Sequence, residues 1–251
     1  MRLIILAAGK GSRLWPLTKE TPKSLLKLED GSTMLERQLH EAVNCKYIDR
    51  VTVITGYRSD MVEKKIEEFK EIFPVDYIFN PLYNISNNLV SLWTATCLME
   101  QEDFAITNGD NIYRNGVFNR IFSQLEREGD LIAITIDHKE NYDDDDMKVK
   151  LDENRNVVRV SKEIPIEETD AESVGFAIVR GERARGLFVN AMVDLLRDEA
   201  YLNKFWLEVF NRLTEEGFRI ETVEIQHSDW QELDFHPDIE LIKRFILKSI
   251  D

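Results

Sequence analysis

The chain has 251 residues, 43% of them apolar, enough to bury a substantial core in one large α/β domain or two small ones. Its 32 Lys and Arg stand against 47 Asp and Glu, and the resulting net charge of −15 argues against nucleic acid polymers or anionic membrane surfaces as partners. Two cysteines without metal or redox spacing, and no apolar run of membrane length, give the expectation of a cytoplasmic protein with no membrane insertion.

Arg2 to Leu6 is a short apolar run with two consecutive Ile, the pattern of a parallel strand buried on both faces. It ends abruptly in Ala7, Ala8 and Gly9, and the loop Gly9-Lys10-Gly11-Ser12-Arg13 combines small residues, whose backbone N–H groups close readily on an anion, with two cations. The loop is neither of two common phosphate cradles. A dinucleotide fingerprint needs a third Gly or Ala where Leu14 stands, and a P-loop needs a Gly-Lys-Ser/Thr that is missing.

Apolar residues at helical spacing predict a helix over 34–43, and Val51-Thr52-Val53-Ile54-Thr55, stopped by Gly56, reads as a second strand. An amphipathic helix over 60–69, a strand over 75–79 ending at Asn80-Pro81, a helix over 87–99 and a strand over 104–107 follow. The last of these strands runs into Asn108-Gly109-Asp110. Strands alternating with helices imply a parallel sheet whose ligands gather at the carboxyl ends of its strands, where the loops at 7–13, 56–57, 80–88 and 108–111 emerge.

The second half changes character. It predicts a strand over 131–136, a hairpin from 148–151 and 157–160, a strand over 173–179, helices over 187–197 and 203–216, a strand over 220–225 and a closing helix over 238–248. The sheet is therefore expected to become mixed, giving a Rossmann-like α/β fold flanked by helices. The run Asp143 to Asp146 reads as a solvated acidic loop.

The two-part pattern Leu6-Ala7-Ala8-Gly9-Lys10-Gly11-Ser12-Arg13-Leu14 and Thr21-Pro22-Lys23-Ser24-Leu25 resembles the signature of the nucleotidyltransferases that make activated sugars and activated phospho-alcohols. The resemblance covers nearly the whole chain. It implies a single domain over 1–251, with a nucleotide-binding half over about 1–135 and an acceptor-binding half over about 136–251. It also implies Arg13 and Lys23 as catalytic cations, and nucleotide contacts from Leu6, Ala7, Ala8, Gly9, Gly11, Ser12, Gly56, Asn108 and Gly109.

Asp110, at a strand end on the phosphate-loop edge, suits Mg²⁺, which takes one or two carboxylates together with water and phosphate oxygens. The stretch from Trp230 to Asp238 resembles the family's closing acidic motif, and within it Asp234 is expected to supply the second metal carboxylate. Glu232 is expected to support it, and Asp238 to cap the closing helix.

The stretch Asn80 to Leu92 resembles phosphocholine and aminoalkylphosphonate cytidylyltransferases rather than the sugar branch. It implies CTP as the nucleotide, with Asn87, Asn88 and Ser91 near the base, where Asn offers both donor and acceptor; Asn88 and Ser91 are equally placed to cap a helix. Met147-Lys148-Val149, Ser161-Lys162-Glu163 and Gly175-Phe176 resemble the same branch and assign Lys148, Lys162, Glu163 and Gly175 to a phosphorylated small-molecule acceptor. The four histidines form no metal or triad spacing. A homodimer is compatible with the sequence. The rival readings are a sugar-1-phosphate nucleotidyltransferase using UTP or dTTP, and a nucleotide-binding regulatory domain without turnover.

Overall fold

In the first strand, β1 (Arg2–Leu6), side chains alternate between two cores: Leu3 and Ile5 enter one, Ile4 and Leu6 the other. Both faces of the strand are therefore buried, as its unbroken apolar run requires. The computed structural model describes residues 1–126 and 128–234. The expected closing helix over 238–248 and its cap Asp238 lie outside the described residues.

β1 lies between β2 (Arg50–Thr55), which is followed by β3 (Val75–Phe79) at the sheet edge, and β4 (Phe104–Asn108); these pairings are parallel. Beyond β4 and the short β5 (Asn111–Tyr113), β6 (Leu131–Asp137) leads to a hairpin of β7 (Lys148–Leu151) and β8 (Val157–Ser161). Next, β9 (Ala171–Arg180) inserts between β4 and β6, antiparallel to both, and β10 (Glu221–Glu224) closes the other edge beside β6. A last strand, β11 (Trp230–Glu232), pairs antiparallel with β5 in a separate two-stranded sheet. The sheet is mixed and mostly parallel, as expected.

Helices cover both faces. On one side lie α1 (Met34–Val43), α2 (Ser59–Phe69) and, further along the chain, a helix over 117–123, contributing Leu35, Leu39, Val62, Ile66, Phe118 and Phe122 to the core. On the other, α3 (Asn88–Trp93), α4 (Thr96–Gln101), α6 (Glu182–Leu195) and α7 (Glu208–Glu215) bring Leu89, Met99, Phe188, Met192 and Phe210. The helix over 117–123 is α5 (Val117–Ser123).

Four departures from the sequence reading have local causes. The helix expected over 87–99 breaks at Thr94, whose hydroxyl donates to the Ser91 carbonyl at 2.7 Å and tightens the turn between α3 and α4. The helix expected over 187–197 starts earlier, at Glu182, directly after Gly181. The helix expected over 203–216 starts only at Glu208, because the preceding residues leave helical geometry to let the Trp206 N–H reach the Asn88 side-chain oxygen at 2.8 Å. Finally, β5 and β11 span three residues each, too few for an alternation to be read.

Candidate functional site

The turn after β1 is shaped by Gly11, whose φ of +60° is in the left-handed region. The Thr18 hydroxyl donates to its carbonyl at 2.6 Å, and the Leu14 N–H at 3.0 Å, which fixes the turn. Leu6, Ala7, Ala8, Gly9, Gly11 and Ser12 then face a cleft of about 450 Å³ at the carboxyl edge of the sheet. Asn108 and Gly109, at the end of β4, form an adjoining wall. Gly109 has to be glycine here, since a Cβ would lie 2.6 Å from the Leu6 carbonyl oxygen. Asn87, Asn88 and Ser91 border the cleft at the start of α3, where Asn87 is the residue that caps the helix, accepting from the Asn88 N–H at 2.7 Å.

Lys162, Gly175, Phe205 and Trp206 also line the cleft. Gly175 has a φ of +70°, and a Cβ there would fall 2.4 Å from the Asn108 side-chain nitrogen. β9 thus gives way at Gly175 so that the amide of Asn108 fits against it, while the Asn108 oxygen accepts from the Trp206 indole at 2.9 Å.

The charged groups meet where β5 and β11 pair. Their register puts Asn111 opposite Glu232, which brings Asp110, Glu232 and Asp234 together with one carboxylate oxygen from each inside a 4.8 Å group. Lys23 reaches in from the second half of the signature, its ammonium 2.8 Å from Asp110 and 3.0 Å from Asp234. Arg13 pairs with Asp234 as well and lies 3.3 Å from Asp145, whose other oxygen accepts from Lys162 at 2.6 Å.

Burial alone would lower the Lys23 pKa, but Asp110 and then Asp234 outweigh it and raise it above the ordinary lysine value. Asp234 shows the converse: burial pushes its carboxyl up, Lys23 and Arg13 pull it down, and the cations win. Glu232 has surface open to the cleft but lies deep among protein atoms, and burial with the neighbouring Asp110 charge pushes its carboxyl up to about 8. The donor set is all oxygen, and Asp110 Oδ1 is buried without a hydrogen-bond partner. Both features fit a hard divalent cation such as Mg²⁺.

Residues 2–231 match the sequence model of a family described as nucleotidyl transferase. The chain belongs to this family. This nucleotidyltransferase is 24% identical over 260 residues to the CTP:phosphoglutamine cytidylyltransferase of Campylobacter jejuni, a match spanning 96% of this chain and 98% of the relative. It is 31% identical over 133 residues to the choline-phosphate cytidylyltransferase of Streptococcus pneumoniae, where the match spans 51% of this chain and 55% of the relative. The solved structure of CTP:phosphocholine cytidylyltransferase from Streptococcus pneumoniae has a TM-score of 0.76 to it, covering 98% of both chains at 20% identity, and so shares its fold.

Three sequence-derived site residues of the nucleotidyltransferase do not line the cleft. Lys148, only 1% exposed, donates to the carbonyls of Asp143 and Asp144 at 3.1 and 3.4 Å, so its ammonium holds a turn in place. Glu163 points to solvent and lies 3.7 Å from Arg159. Gly56 sits behind the loop: a Cβ there would be 2.6 Å from both the Ala8 carbonyl oxygen and the Tyr83 Cβ, so its role is close packing.

The 143–146 run is a solvated loop, as expected, only at Asp143 and Asp144, which are exposed; Asp145 is half-buried. Asp146 is buried, accepts from Lys139 at 2.8 Å and from the Asp143 N–H at 2.9 Å, and with Lys148 it anchors the turn that aims Asp145 into the cleft. Nothing in four identical residues distinguishes Asp145 from its neighbours. Phe205 was likewise hidden, inside an expected helix. No helix among the described residues is long and apolar enough to cross a membrane.

Proposed function

We propose that this nucleotidyltransferase transfers CMP from CTP to a phosphorylated small alcohol or amine and releases pyrophosphate. The observation that carries the reading is the meeting of Lys23 and Arg13 with Asp110, Glu232 and Asp234 in a cleft that Lys162, paired with Asp145 beside Arg13, also lines. Cations for a triphosphate, carboxylates for Mg²⁺ and a cation for a second phosphate then lie in one space. Asp110 and Asp234 would hold Mg²⁺, which would supply charge neutralisation on the phosphates.

In this reading the backbone of Gly9, Gly11 and Ser12 cradles the triphosphate, Arg13 binds its oxygens, and Lys23 stabilises the charge that builds up at the α-phosphorus. Lys162 orients the acceptor phosphate for in-line attack, in which its oxygen bonds to the α-phosphorus as the bond to pyrophosphate breaks. A phosphate monoester has a second pKa of about 6, so the attacking oxygen is already ionised and needs no general base. In keeping with this, no histidine lines the cleft among the described residues.

The base is assigned to the Asn88 and Ser91 wall. The Asn88 oxygen is engaged by the Trp206 N–H, which orients the amide N–H₂ as a donor toward ring acceptors of cytosine. Similarity to the phosphoglutamine and choline-phosphate enzymes supports CTP as the donor and a phosphorylated acceptor. Pyrophosphate release with CTP, UTP, dTTP, ATP and GTP against a panel of phospho-alcohols, phospho-amines and sugar 1-phosphates tests it. A preference for CTP of about tenfold or more is expected from one matched buried hydrogen bond. Equal or better rates with UTP or dTTP and a sugar 1-phosphate would overturn the assignment.

A further inference from the structure

On α1, Leu35, Leu39 and Ala42 form the core-facing stripe, and Gln38 lies on the same face with only 1% of its surface exposed. A long polar side chain at a core position of an amphipathic helix needs a physical reason. Its amide nitrogen donates to the Asn108 carbonyl at 2.8 Å and to the Asn111 carbonyl at 2.6 Å. Both neighbours are acceptors only, so the N–H₂ end of the amide must face them. The Gln38 oxygen, in contrast, is buried without a partner. The position uses the two donors and leaves the acceptor unmet, a cost that an apolar core residue would not carry.

The two carbonyls flank Gly109 and Asp110. The same turn is gripped from other directions: the Gly109 N–H donates to the Leu6 carbonyl at 2.9 Å, and the Asn111 side chain donates to the Val174 carbonyl at 2.6 Å and the Tyr113 hydroxyl at 2.9 Å. Held this way, the turn cannot rotate to satisfy the partnerless Asp110 Oδ1, which keeps its orientation beside Glu232 and Asp234. We propose that Gln38 is a positioning residue for Asp110: its two hydrogen bonds fix the 108–111 turn so that the carboxylate is preset for a divalent cation. The inference rests on the reading of Asp110 as a metal carboxylate. A Leu at this position would pack as well but take the Gln38 donor from the Asn111 carbonyl and leave the Asn108 carbonyl only the Thr107 hydroxyl at 3.4 Å, so that the turn could tilt.

The test uses Gln38→Met, which keeps length and loses both donors, and Gln38→Glu, which keeps shape but cannot donate when ionised. Leu39→Ala, a neighbouring core truncation away from the turn, serves as a control that loses thermal stability for packing reasons alone. Mn²⁺ binding to the nucleotide-free protein, read by electron paramagnetic resonance, is measured beside kcat and the acceptor KM. Both Gln38 variants are expected to bind Mn²⁺ at least tenfold more weakly and to lose kcat by a similar factor, with the acceptor KM changed less than twofold. Leu39→Ala should keep its Mn²⁺ affinity within twofold.

Unchanged Mn²⁺ affinity in Gln38→Met, or an equal loss in Leu39→Ala, overturns the role of Gln38. Asp110→Asn in the same titration separates the two levels of the argument. If it binds Mn²⁺ like the wild type, the metal reading of Asp110 falls and this inference with it; if it loses the ion while Gln38→Met does not, only the positioning role falls.

Discussion

Lys23→Met removes the cation that lies between two carboxylates and leaves a chain of nearly the same shape. With Lys23 gone, Asp110 and Asp234 face each other within a 4.8 Å group, each little more than a quarter exposed. At an effective dielectric constant of about 20, charges at that separation repel by roughly 3 kcal/mol. Glu232, whose carboxyl is pushed up by its surroundings and by the Asp110 charge, adds less charge near neutrality than an ordinary carboxylate would. For a chain of this size, 1 kcal/mol corresponds to about 2–4 °C in Tm, so a fall of roughly 6–12 °C is expected in EDTA at neutral pH.

Mg²⁺ should reverse most of that fall. A ligand at a hundred times its Kd stabilises by about 2.7 kcal/mol, close to the repulsion it would relieve. The wild type should gain less, because its carboxylates are already neutralised by Lys23. Thermal melts across a Mg²⁺ titration, with Ca²⁺ as a second divalent cation, measure this directly. Turnover should still fall by orders of magnitude, since Lys23 is assigned to charge that develops in the transition state. A variant as stable as wild type in EDTA, or one gaining no more from Mg²⁺, would refute the reasoning.

Glu172, whose side chain is 7% exposed, has its carboxyl raised by burial, against the pull of Lys139, from an ordinary 4.5 to about 7. Its contribution to stability is therefore full below pH 4.5 and lost as pH rises to about 7, an effect of roughly 3 kcal/mol. Glu172→Gln, which leaves Lys139 paired with Asp146, should gain in Tm relative to wild type across that window; parallel Tm curves from pH 4.5 to 8 would contradict it. Asp145→Asn withdraws a carboxylate from Arg13 and Lys162 and should lower the acceptor KM severalfold in steady-state kinetics, whereas a rise would mean that Asp145 itself contacts the acceptor. Gly56→Ala forces a Cβ against the Ala8 carbonyl and Tyr83, so a loss of about 1–3 kcal/mol and weaker CTP binding are expected by calorimetry.

The sheet and the Gly9–Arg13 loop that borders the cleft were legible because their signals are local: a two-face buried strand is an unbroken apolar run, and the loop that follows has a distinctive composition. Asp110 could be proposed from its strand end, but its partner Asp234 only through resemblance to a family motif, since the pairing that joins them is three residues long on each side. Lys148 was misread for a similar reason. Alternation along Lys148-Val149-Lys150-Leu151 describes one strand facing water on one side, and it cannot register that the Asp143 and Asp144 carbonyls fold back over the first lysine. The Asp145 and Phe205 positions depend on how separate turns are pinned, which no spacing records.

The β5–β11 ladder also has a consequence for how the site comes and goes. It closes a loop that takes in the whole second half of the described chain, so loop-closure entropy and a short ladder lead to the expectation that the three carboxylates meet late in folding and part early when β11 peels away. Three residues of ladder, backed by the Leu233 N–H on the Asp110 carbonyl at 3.1 Å, are a small cooperative unit compared with the nine-stranded sheet. Amide hydrogen exchange should therefore be faster at Gln231 and Leu233 than along β1. It should slow when a cation or nucleotide holds Asp110 and Asp234 together. A shift of one residue in this ladder would point Gln231 where Glu232 now stands, so the acidic cluster depends on the register of a hairpin-sized contact rather than on the large sheet beneath it.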